Sequence, residues 1–117
     1  MGDSSGGNLI LSLMNLIAFC KLPKPHAVVS VYPPTDLNPH RFTPSMIHSL
    51  QDRLLFFSVM RTCFKAYVPE SVDYKEDWLL SPGRAPDQIL WQYPHTILIC
   101  GELDSLKDDI IRLGYRI

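Results

Sequence analysis

No run of lysines or arginines crosses this 117-residue chain; eleven basic and twelve acidic residues are interspersed, for a net charge of -1. Without a basic stripe nothing can track a phosphate backbone, and a nucleic-acid partner is not expected. The apolar run from Leu9 to Cys20 is too short to cross a bilayer and is broken by Ser12 and Asn15. It reads as a buried helix, so no transmembrane segment is expected. The first eight residues carry one charge, Asp3, which leaves out the basic start of a secretory leader, and Gly6 stands where a myristoylation signal needs Ser or Thr. The three cysteines, Cys20, Cys63 and Cys100, lack C-x-x-C spacing and each lies in an apolar stretch. That pattern suits reduced, buried thiols in a cytosolic protein. No pairing of histidines and carboxylates has metal-ligand spacing, and neither a metal nor another cofactor is expected. Internal repeats and low-complexity tracts are also missing.

What the chain holds is 46% hydrophobic residues, enough for the core of one modest domain over 1–117. At its start stands Gly2-Asp3-Ser4-Ser5-Gly6-Gly7-Asn8-Leu9. This is a G-x-S-x-G pattern running into an apolar helix. In a nucleophile elbow the serine occupies a sharp strand-to-helix turn with strained backbone angles, and the passing chain comes so near that only glycine is expected to fit at Gly2 and Gly6. Ser4 is therefore the candidate nucleophile for ester hydrolysis, and the backbone N–H of Ser5 a candidate oxyanion-hole donor. The plainer alternative is a Gly/Ser terminus in which Ser5 or Asn8 caps the helix. Only Met1 precedes the motif, so the strand that presents such a serine is expected to be absent.

Asn8, Ser12 and Asn15 recur at helical spacing, with Leu9, Ile10, Leu13, Met14, Leu16, Ile17 and Phe19 around the rest, which predicts a helix over 5–20 packed on most sides. The β-branched segment 27–32 reads as a buried strand of a parallel sheet. Thr43-Pro44 resembles a helix start, and 44–68 reads as an unusually apolar helical segment. Its Leu50, Leu54, Leu55, Phe56, Phe57, Val59, Met60 and Phe64 either line an apolar pocket or pack against the sheet. The stretch from Val68 to Pro94 reads as loop. A second strand over 96–100 and the opening of a helix over 106–113 complete the pattern.

A serine triad on such a fold runs in the order Ser, then Asp or Glu, then His, with the acid after a late strand. Asp104 sits there, where it would orient a histidine; the alternative is that it caps the helix beginning near Leu106. Glu102 is the main rival, because Asp108 and Asp109 fall in a first helical turn, where acids favour the dipole. All four histidines, His26, His40, His48 and His95, precede Asp104. His26 and His95 stand at the strand starts, the edge opposite an active face, while His40 and His48 are weak candidates near a cleft.

With these residues assembled, the chain resembles the hormone-sensitive lipase branch of the α/β-hydrolases, its eukaryotic members in particular. Gly2-Asp3-Ser4-Ser5-Gly6-Gly7-Asn8 is similar to the G-D-S-A-G-G-N signature, with Ser5 in place of alanine. The similarity runs through Val31-Tyr32-Pro33-Pro34-Thr35, Ser45 to Tyr67, Leu79-Leu80-Ser81-Pro82 and Ala85-Pro86-Asp87. It ends at Leu103-Asp104-Ser105-Leu106-Lys107-Asp108-Asp109, which is like the D-P-L-x-D-D segment, with Ser105 for proline. The resemblance implies an incomplete α/β-hydrolase fold, a parallel sheet flanked by helices, C-terminal half only. It implies Ser4 as nucleophile, Asp104 as triad acid, the Ser5 amide in the oxyanion hole, and carboxylic esters such as acylglycerols as substrates. The family's H-G-G-G loop and its histidine fall outside this chain, so the isolated chain is expected to be nearly inactive. A cytoplasmic setting, including the lipid-droplet surface, goes with that reading. The alternative is a non-catalytic interaction fragment whose exposed sheet edges pair with a partner or with another copy.

Overall fold

The β-branched run Ala27–Val31 forms the middle strand, β2, of a parallel sheet whose other members are β1 (Gly2–Asp3) and β3 (His95–Ile99). The computed structural model describes residues 1–50, 52, 57–73 and 76–117. Register pairs Gly2 with Ser30 and Asp3 with Val31, and β2 with β3 from Ala27–His95 to Val31–Ile99. The strand expected to be absent before the serine is thus present, over Gly2–Asp3. Val28 and Ser30 point into the protein, and Leu98 of β3 joins both core clusters. The alternate residues Ile97 and Ile99 are exposed, so this side of the sheet is open.

Helix α1 (Ser4–Phe19) begins directly at the end of β1. Its polar stripe faces inward, which corrects the expected packing. Asn8 and Asn15 are buried, while Leu9, Leu13, Leu16 and Phe19 are exposed. The cause is hydrogen bonding to distant carbonyls. Asn8 Nδ2 donates to Pro34 O at 2.8 Å and Leu80 O at 3.0 Å, Ser12 Oγ donates to Leu79 O, and Asn15 Nδ2 donates to Trp78 O at 2.9 Å and Pro82 O at 3.2 Å. Tyr93 Oη completes the set by donating to Asn15 Oδ1 at 2.7 Å and approaching Leu11 O at 2.9 Å. Burial raises the Tyr93 pKa above its ordinary value.

Among the described residues, the expected helix over 44–68 is two helices, α2 (Pro44–His48) and α3 (Phe57–Tyr67). Thr43 Oγ1 caps α2 by accepting from Met46 N at 3.3 Å, with Pro44 in the first turn. The end of α2 is fixed by Ser49, whose hydroxyl lies 2.8 Å from both Ser45 O and Leu103 O. Leu54, Leu55 and Phe56 of the expected apolar run lie outside the described residues. The stretch read as loop contains a 3-10 turn (Pro82–Arg84) and a short helix, α4 (Asp87–Leu90). Helix α5 (Lys107–Gly114) closes the chain. One core cluster joins Leu11, Ala85, Leu90 and Leu113; the other joins Met46, Met60, Leu106 and Ile110.

Candidate functional site

Because β1 ends level with Val31 and Ile99, Ser4 is the first residue past the carboxyl edge of its strand. Its φ of 50° is left-handed, a conformation that serine adopts only at a cost of order 1 kcal/mol or more. Tyr32, just past the same edge on β2, has a φ of 41°, and its hydroxyl donates to Asp3 Oδ2 at 3.4 Å. Two left-handed non-glycine residues therefore follow adjacent strands.

Glycine is required in this turn at Gly2, as expected, but at Gly7 instead of Gly6. A Cβ on Gly2 would lie 2.6 Å from Gly6 O, and one on Gly7 would lie 2.8 Å from Ser30 Oγ and 3.1 Å from Pro33 Cβ. A Cβ on Gly6 would meet nothing within 4 Å. The crowding thus falls on Gly2 and on Gly7, where α1 crosses β2, and Gly6 is open.

Ser4 and Ser5 stand at one side of a cleft of about 290 Å³ whose other walls are largely apolar. Met60, Cys63, Phe64 and Tyr67 come from one face of α3, at helical spacing i, i+3, i+4 and i+7, while Leu9, Leu37 and Leu106 supply the remainder. Of the two readings open for the apolar segment, pocket or packing, both hold here: Met60 is in the core and in the cleft wall. Cys63 is exposed, as is Cys20, which caps the end of α1; Cys100 is half-buried. The expected burial is corrected for Cys20 and Cys63, whereas Cys100 is partly buried against the cluster of Met46, Met60, Leu106 and Ile110. All three thiols are free, and burial together with Asp104 raises the Cys100 pKa.

Asp104 follows β3 at the same edge of the sheet as Ser4 and is half-buried. Its Oδ1 accepts from Leu106 N at 2.8 Å in a local turn just ahead of α5, whose N-cap residue is Leu106 and not Asp104. Its neighbour Leu106 lines the Ser4 cleft. No hydrogen bond joins Ser4 to Asp104, or either of them to a histidine, among the described residues. Glu102 pairs on the surface with Lys107 Nζ at 3.0 Å, which raises the lysine's pKa. Asp108 caps α2, with Ser45 N donating to its Oδ2 at 2.7 Å. Asp109 lies in the first turn of α5, as expected, and is buried there; burial pushes its carboxyl up to about 6, against the pull of Arg41.

All four histidines are exposed. His26 precedes β2 and His95 opens β3, both at the edge away from Ser4. His40 lies in the connection before α2, and His48, the last residue of α2, borders a separate cavity of about 290 Å³ together with Asp104. Among the described residues no three His, Cys, Asp or Glu side chains gather to hold a metal, and no helix is long and apolar enough to cross a membrane.

A parallel sheet in which a left-handed serine joins a strand to the next helix is α/β-hydrolase architecture. A family model described as alpha/beta hydrolase fold matches residues 1–117, and the chain belongs to that family. Within it, the chain is similar to members of the hormone-sensitive lipase branch. It is 39% identical to human hormone-sensitive lipase over 66 residues, which cover 56% of this chain and 6% of that protein. It is 26% identical over 117 residues to an esterase of Gibberella moniliformis, covering 99% of this chain and 36% of the relative. Among solved structures, carboxyl esterase 2 of the fungus Tuber melanosporum superposes with a TM-score of 0.83 at 31% identity, over 98% of this chain and 37% of that one. The chain thus spans little more than a third of the length of these two esterases, and it carries a portion of their fold: three parallel strands with flanking helices.

Proposed function

We propose that Ser4 is the nucleophile of a carboxylic ester hydrolase, that the Ser5 amide donates to the oxyanion and that Asp104 is the acid of the triad. The observation that carries this reading is the left-handed Ser4 at the carboxyl edge of the sheet, opening onto an apolar cleft. In the reaction Ser4 Oγ gives up its proton to a base and bonds to the acyl carbon, the alcohol leaves with a proton, and water then releases the acid. The cleft, walled by Met60, Phe64 and Tyr67, suits the acyl chain, and the relatives named hormone-sensitive lipase support acylglycerols or related lipid esters as the substrate class. A cytoplasmic site of action, extending to the lipid-droplet surface, accords with such substrates. None of the four histidines hydrogen-bonds to Ser4 among the described residues, and feeble turnover by this chain alone is the expected result.

A second reading, an interaction module, is favoured by the exposed Leu9, Leu13, Leu16 and Phe19 of α1 and by Ile97 and Ile99 of β3, an edge strand able to pair with another copy. A fluorophosphonate probe and a short-chain p-nitrophenyl ester separate the two. Ser4-dependent labelling, lost in Ser4→Ala, supports the nucleophile; labelling that persists in Ser4→Ala overturns it, and no labelling with concentration-dependent association turns the assignment to the module.

A further inference from the structure

Four of the chain's six arginines, from three separate parts of the sequence, meet at one cavity of about 590 Å³. Arg41 comes from the connection before α2, Arg84 from the 3-10 turn, Arg112 from the last turn of α5 and Arg116 from just beyond that helix. Two carboxylates lie beneath them, Asp36 at 8% and Asp109 at 6% exposure. Asp36 Oδ2 accepts from Arg41 Nη1 and from Arg84 Nε at 3.0 Å, with Arg84 Nη2 at 2.9 Å. Arg41 Nη2 stands 2.9 Å from Asp109 Oδ1, although without hydrogen-bond alignment. Arg116 is held from the side, by Asp87 Oδ1 at 2.7 Å and by the carbonyls of Gly83 and Ala85.

The buried carboxylates thus hold Arg41 by both terminal nitrogens and Arg84 by Nε and Nη2, which leaves Arg84 Nη1 without a hydrogen bond among the described residues. Arg112 goes furthest: its side chain is 56% exposed, its nearest carboxylate oxygen is 3.8 Å away, and it makes no hydrogen bond among the described residues. Four guanidinium charges against Asp36, Asp109 and Asp87 leave one net positive charge at this spot, on a chain whose net charge is -1. The free fork of Arg112 can give two parallel hydrogen bonds to a tetrahedral phosphate group, with the charges of the fixed guanidiniums around it.

We propose that this arginine cavity binds a compact phosphate-type oxyanion, with Arg112 as the principal donor and Arg84 and Arg41 as its support. The cavity shares no lining residue with the Ser4 cleft, so the site stands independently of the assignment of Ser4.

Calorimetric titration with inorganic phosphate at pH 7.5, with ionic strength held constant by sodium chloride, tests it on the wild type, Arg112→Gln and Arg112→Lys. Saturable binding is expected, weakened about tenfold or more by Arg112→Gln and less by Arg112→Lys, the loss typical of one charge-assisted pair. Thermal midpoints without phosphate should agree among the three proteins, because Arg112 is a surface group. Co-sedimentation with phosphatidic acid vesicles, against pure phosphatidylcholine, distinguishes the source: Arg112-dependent capture of these vesicles with no heat from free phosphate assigns the oxyanion to a lipid headgroup. No Arg112-dependent binding to either probe, or binding unchanged by Arg112→Gln, overturns the site.

Discussion

Ser45 and Asp108 hold each other's helix ends: Ser45 N donates to Asp108 Oδ2 at 2.7 Å, and Asp108 N donates to Ser45 Oγ at 3.2 Å. Each residue supplies an acceptor for the first turn of the other's helix, so α2 and α5 start as a joined pair. Removing a cap costs about 1 to 2 kcal/mol. Ser45→Ala and Asp108→Ala should each lower stability by that amount in urea unfolding. The double variant should lose less than the sum, by roughly 0.5 kcal/mol or more, because the two bonds form a unit. Strict additivity would show that the caps act separately.

Asn15 is fully buried and carries more polar partners than any other side chain of α1. Asn15→Ala strands the carbonyls of Trp78 and Pro82 together with the Tyr93 hydroxyl, at an expected cost of about 2 to 4 kcal/mol. Tyr93→Phe removes a single hydroxyl and should cost about 1 kcal/mol. Denaturation midpoints compare the two; an Asn15→Ala loss no greater than that of Tyr93→Phe would contradict the network.

The crowding at the serine turn can be read by adding one methyl group. Gly6→Ala meets open space within a helix and should be neutral or stabilising, by up to about 1 kcal/mol. Gly7→Ala drives a Cβ to 2.8 Å from Ser30 Oγ and should cost about 1 to 3 kcal/mol. Ser30 Oγ is buried without a hydrogen-bond partner, so Ser30→Ala should recover part of the Gly7→Ala loss. Thermal melts of the four proteins test the series, and an equal penalty at both glycines would refute it.

The carboxyl of Asp109, pushed up to about 6 from 3.8, binds a proton more tightly in the folded chain than in the unfolded one. Its contribution to stability is therefore fully present below about pH 3.8 and is lost as pH rises through about 6, a change of about 3 kcal/mol at 1.36 kcal/mol per pH unit. Asp109→Asn mimics the protonated form and should be the more stable protein at pH 7 while equalling the wild type near pH 4. Urea midpoints over that range decide the matter; parallel curves for the two proteins would rule out the shift.

The α/β character was legible because β2 and β3 are short β-branched runs and α1 opens on a glycine-flanked serine, all local signals. The turn at Ser4 and the place of Asp104 after a strand could be read in the same way. Long-range partners account for what could not. An asparagine stripe reads as a solvent face until the carbonyls of Trp78, Leu80 and Pro82 are known to approach it. The break after α2 depends on Ser49 reaching Leu103, 54 residues away. The glycine that must stay small is set by where β2 crosses, and that moves the requirement from Gly6 to Gly7. The arginine cavity draws on segments with no common motif.

Helix α1 grips the segment 78–82 through backbone carbonyls, and a carbonyl oxygen is the same whatever side chain accompanies it. The half-exposed Leu79 could change identity without its anchor registering the difference, whereas Asn8 and Asn15 have no such latitude. Substitution tolerance should therefore be lopsided across this contact, permissive at position 79 and strict on the helix that holds it.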